Sequence, residues 1–170
     1  MSKIDEVKSA YENYRREKKV YADTCRAFVT DLKGAFAEYL GCTVGEVKFF
    51  KPSMVTATQT LKTFINVKPE HALELKKDGY WRFGVAYAVP EVGDFLYVVR
   101  LKYEDGIYSL GLDDDDFHVH SGSREELTPF FDHMISVTTG YYETYQEDLL
   151  AGNQPESVFE LVKPKPKQGG

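Results

Sequence analysis

YWRFGVAYAVPEVGDFLYVVRLKYEDGIYSLGLDDDDFHVH, residues 80–120, decides the fold class. Within it, Tyr80–Val89, Phe95–Tyr103, Ile107–Leu112 and Asp116–His120 are rich in β-branched and aromatic residues at period two. That alternation sends successive side chains to opposite faces of a sheet. The break at Glu104-Asp105-Gly106 is the firmest turn, because Asp-Gly supplies the positive φ angles of a tight hairpin. Upstream, Val47–Phe50 and Val55–Val67 have the same strand character, and Lys68-Pro69 to Lys77 reads as a short helix with Pro69 in its first turn and Gly79 beyond its end. Short connections between neighbouring strands predict an antiparallel meander of four to six strands. Such a sheet buries one face and needs cover.

Two helices supply the cover. Ile4, Val7, Tyr11, Tyr14, Tyr21, Cys25, Phe28, Leu32, Ala35 and Tyr39 step by three and four residues, broken only by Lys18. This is one apolar stripe on a long helix, capped by Ser2 with Asp5 and ended by Gly41. At ~1.5 Å per residue it exceeds the width of a domain of this size, so it breaks, with Gly34 a weak point, or projects. The run Arg15, Arg16, Glu17, Lys18 and Lys19 marks where burial is least expected. A second helix starts at Ser123, or at Thr128 before Pro129, with both starts and a kink between as one outcome; its stripe is Leu127, Phe131, Met134, Thr138, Tyr141, Tyr145 and Leu149. The expected fold is therefore α+β: a long N-terminal helix, the sheet, and a C-terminal helix packed on it. Residues 1–162 form one domain and 163–170 a flexible Lys/Pro/Gly tail.

At 170 residues and 42% hydrophobic, the chain can bury a full core. Cys25 and Cys42 have no metal-ligand spacing and are too few for a disulfide scaffold, which points to a reducing, cytoplasmic setting. No apolar run approaches a membrane span. Charge is uneven: residues 113–162 hold twelve acids against Arg124 alone, a local −11 within a total of −6. A field of one sign speeds encounter with a partner of the other.

Specific catalytic signatures are missing. There is no Gly-x-Ser-x-Gly, no Gly-x-Gly-x-x-Gly and no Walker loop, and Asp113–Asp116 does not continue as a calcium loop. Direct nucleic-acid binding is not expected of a chain whose one dense basic cluster sits among acids. On a strand, Asp116, His118 and His120 would share one face and could hold a divalent transition metal; the plainer alternative is a solvated edge strand.

Three readings of function follow. In the first, no cofactor is needed: the chain is a non-catalytic binding module whose acidic surface, Asp113, Asp114, Asp115, Asp116, Glu125, Glu126 and Asp132, docks on a basic protein partner, as an inhibitor, immunity factor or adaptor would. A second is a small-ligand or metal-binding domain, possibly enzymatic, with an aromatic pocket of Tyr80, Trp81, Phe83, Tyr87 and Tyr97. The third is a structural oligomer, a homodimer seamed by the N-terminal helix, although tyrosines and Lys18 on the seam suit packing on its own sheet better than a tight zipper.

Overall fold

The computed structural model describes residues 2–54 and 66–150. Strand pairing satisfies the backbone of six segments in one antiparallel sheet: β1 (Lys48–Phe50), β2 (Glu74–Leu75), β3 (Trp81–Val89), β4 (Gly93–Glu104), β5 (Ile107–Gly111) and β6 (Phe117–Val119). β3 to β6 make the expected meander. The short β1 and β2 divide the remaining edge of β3, β1 opposite Gly84 to Ala86 and β2 opposite Trp81 and Arg82. At the β4–β5 turn both Asp105 (φ 52°) and Gly106 (φ 79°) are left-handed, as a type I′ hairpin requires.

Register sorts the faces. Trp81, Phe83, Val85 and Tyr87 of β3 stand opposite Leu101, Val99, Tyr97 and Phe95 of β4, and all eight are buried on the inner face. Arg82 and Arg100 face each other on the outer side, where Phe50, Ala86 and Leu96 form a smaller buried group. Above the inner face lie α1 (Lys3–Leu40) and α3 (Arg124–Leu150), packed against each other. Phe28 stacks on Tyr108 with ring centroids 4.0 Å apart, and Phe36 meets Tyr87 edge-on at 5.6 Å and Phe131 at 4.9 Å. Leu127, Phe130, Phe131 and Met134 carry the core along α3.

The capping box on α1 is complete, Ser2 and Asp5 bonding each other's backbone, and Gly41 closes the helix at φ 72°. The helix runs unbroken through Gly34. Of the two outcomes open to its length it takes projection: residues 2–20 are all exposed, and burial starts at Tyr21 and Ala22. We call residues 3–20 the arm.

The expected helix from Pro69 to Lys77 is shorter. α2 is Pro69–Ala72 alone, and the chain then enters β2, because pairing with the edge of β3 satisfies groups that a one-turn helix leaves open. The second large helix has one start: Ser123 Oγ accepts from the Glu126 N–H at 3.4 Å, and Pro129 is carried inside α3. Most of the expected strand Val55–Val67 and the tail 163–170 lie outside the described residues. No helix among the described residues is long and apolar enough to cross a membrane.

Candidate interaction surfaces

Four of the seven acids grouped from sequence have partners within the fold. Arg100 reaches from β4 across the outer face, donating to the Asp115 carbonyl at 2.6 Å and to the Asp116 carboxylate at 3.0 Å. The Asp115 carboxylate turns the other way, onto the His133 ring of α3. Gly111 permits this fold of the loop, since a Cβ there would collide with the Asp115 carbonyl. Glu126 is also occupied: its carboxylate accepts from the backbone N–H groups of His120 and Ser121, which hold its pKa below the ordinary glutamate range. Asp132 accepts from the Tyr39 hydroxyl at 2.5 Å; burial, with Asp132 beside it, pushes that phenol up to about 12. Of the seven acids grouped from sequence, Asp113, Asp114 and Glu125 are left exposed with neither an ion pair nor a hydrogen bond to the carboxylate among the described residues. Arg124, the lone base of the acidic segment, pairs with Glu38 of α1 at 3.0 Å.

The outer face holds a cluster that sequence reading missed. Arg82, Arg100 and Lys102 crowd the ring of Tyr80, their charges 5.7, 5.0 and 5.5 Å from its centroid. Each has a carboxylate: Asp78 at 2.6 Å from Arg82, Asp116 at 3.0 Å from Arg100, Glu104 at 3.5 Å from Lys102. Bonds from the Tyr80 N–H and Arg82 hold Asp78 below the usual aspartate range. The charges therefore close on themselves, and the cluster braces the sheet and the 112–116 loop. Its signal was Arg82 on β3 with Arg100, Lys102 and Glu104 at alternate positions of β4.

The aromatic set divides between faces. Phe83 and Tyr97 are fully buried and Trp81 and Tyr87 nearly so, all beneath the helices, while Tyr80 is on the opposite side. The five do not line one pocket. Tyr87 and Tyr97 join hydroxyls at 3.1 Å, and Tyr97 continues to Thr138, which donates to the Met134 carbonyl at 3.2 Å. Burial raises both phenol pKa values, so at neutral pH these are hydrogen-bonding core groups. The metal set is not assembled either. His118 bonds Ser109 on the outer face at 3.1 Å, Asp116 is held by Arg100, and His120 lies past the end of β6. Among the described residues no group of three His, Cys, Asp or Glu side chains could hold a metal ion.

The arm is a different kind of surface. With Ile4 at position a of a heptad, the a positions of α1 are Ile4, Tyr11, Lys18, Cys25, Leu32 and Tyr39, and the d positions Val7, Tyr14, Tyr21, Phe28 and Ala35. Where the helix is packed, position e is apolar as well, at Ala22, Val29 and Phe36, and all three are buried. In the arm position e is Lys8 and Arg15. A wide a/d/e face suits a helix lying on a core, whereas a strict a/d stripe is the narrower seam of a coiled coil. The stripe is open to water, with Ile4 67%, Val7 69%, Tyr11 59% and Tyr14 59% exposed. Comparison with known proteins yields no matching family, no matching curated protein and no matching solved structure.

Proposed function

We propose that the chain is a non-catalytic protein-binding module whose grip is the arm of α1. The observation that supports this is the exposed a/d stripe, four large apolar side chains in line on a helix that meets its own body only from Tyr21 onward. Apolar residues scattered singly over a surface are ordinary, but an aligned set on an amphipathic helix is the form in which helices enter grooves or pair with other helices. The packed half of α1 acts as the nucleus from which the arm propagates, so the arm is helical without the cost of starting a helix in water.

A second reading, docking of a basic partner on acids, narrows to Asp113 and Asp114, adjacent and exposed, with Glu125. Both readings belong to an inhibitor, immunity factor or adaptor. The arm is tested by placing photoreactive p-benzoylphenylalanine at Tyr11, at Tyr14 and, as a control on the far side of the helix, at Asn13. Crosslinked protein is expected at the two seam positions and not at Asn13; none at the seam in cells that make the protein would overturn the reading. For the acidic patch, Asp113→Asn with Asp114→Asn is expected to slow capture of a basic partner, with the loss shrinking as salt rises.

A further inference from the structure

The arm's charge pattern says what pairs with it. Residues 3–12 carry Lys3 and Lys8 against Asp5, Glu6 and Glu12, a net −1, while residues 15–19 carry Arg15, Arg16, Lys18 and Lys19 against Glu17, a net +3. The two halves of one arm are thus complementary to each other only when a second arm runs in the opposite direction. From this, and from the narrowing of the stripe to a and d alone, we infer that the occupant of the seam is the arm of a second copy, paired antiparallel about a two-fold axis near residues 12 and 13. This rests on the reading of the arm as the binding element.

The register follows from the stripe. Tyr11 layers with Tyr14 of the second copy, Val7 with Lys18, and Ile4 with Tyr21. Each contact occurs twice, as an isologous interface demands. Pairing uses the whole arm and stops where the body begins, since Tyr21 is half-buried with its hydroxyl on the Gly79 carbonyl at 3.2 Å. Asp5 and Glu6 come level with Lys19 and its neighbours. Parallel pairing does the reverse: Lys18 would face Lys18 inside the seam, and Lys3 at position g would flank Lys8 at position e. Antiparallel pairing brings Lys8 near Arg15 of the other copy, with Glu12, four residues after Lys8 and three before Arg15, between them. A polar seam residue such as Lys18 costs stability and fixes orientation.

Light scattering on the full chain is expected to give twice the 19.4 kDa of one copy, and Tyr11→Glu with Tyr14→Glu to return it to one. Both side chains are exposed, so the body of the variant should stay folded, with a cooperative thermal transition and the near-ultraviolet circular dichroism of its buried aromatic core. In a Cys42→Ser background, oxidation should link Tyr11→Cys/Tyr14→Cys chains into covalent dimers and leave Ile4→Cys chains unlinked. A single-chain mass at millimolar concentration, or a dimer that survives the double glutamate variant, overturns the inference. A dimer linked through Ile4→Cys overturns its antiparallel sense. If the chain is monomeric while photoprobes at Tyr11 and Tyr14 capture a different protein, the partner inference fails and the arm's binding role stands; with a monomer and no capture, both fail.

Discussion

Gly84 stands directly opposite Phe50 in the β1–β3 ladder, and a Cβ there would overlap the Phe50 ring. The ring is buried on the outer face and cannot swing clear without exposing itself. Gly84→Ala is accordingly expected to cost about 1–3 kcal/mol, read as a lower urea midpoint at unchanged slope. The two thiols differ in the same local sense. Cys25 is fully buried beside Tyr21 and Trp81, and burial pushes its pKa up to about 12, whereas Cys42 is only partly covered. Since the thiolate is the reacting species, a disulfide reagent at pH 8 should modify Cys42 in the native protein and reach Cys25 only on unfolding. Rapid native modification of both would contradict the packing at Trp81.

Within α1 the same substitution should have two outcomes. Phe28 is buried on Tyr108, so Phe28→Ala is expected to lose about 3–5 kcal/mol, while Tyr11→Ala, on the arm, should stay within about 0.5 kcal/mol in the unpaired chain. The turn into α3 depends on pH. Glu126 is held below its ordinary range by the His120 and Ser121 amides, so its contribution is full above the ordinary glutamate value and is lost as pH falls through the lowered one. Hydrogen exchange at His120 and Ser121 should accelerate across that acid window, and be fast already at neutral pH in Glu126→Ala. At this scale the sequence was most legible: capping at Ser2 and Gly41, the Asp105-Gly106 turn and the strand alternation are local chemistry and can be read from neighbours. β2 was not, because Glu74 and Leu75 become a strand only through the free edge that β3 offers them.

Over the whole molecule, the long helix, the meander and the second helix follow from periodicity, and the layering follows from the single apolar face each presents. The interaction surfaces were less open to reading. Counting charges along residues 113–116 cannot see Arg100 or His133, which lie apart in sequence and fold onto Asp116 and Asp115. The exposed arm of α1 did leave a trace: position e changes from Lys8 and Arg15 to Ala22, Val29 and Phe36, and burial begins between Arg15 and Ala22. The charged run at 15–19 was half of that signal; the apolar e positions were the other half.

The arm joins the body with no joint. α1 has no proline, and Gly34, the residue most able to soften it, lies in the packed half behind Ala22 to Val29. Arm and core are one rod of 38 residues, about 57 Å long at 1.5 Å per residue, with about half its length outside the body. It therefore works as a ruler. Whatever the arm holds is kept at a set distance and a set angle from the sheet, and each residue inserted between Lys18 and Tyr21 would lengthen that reach by about 1.5 Å and turn the seam by about 100°.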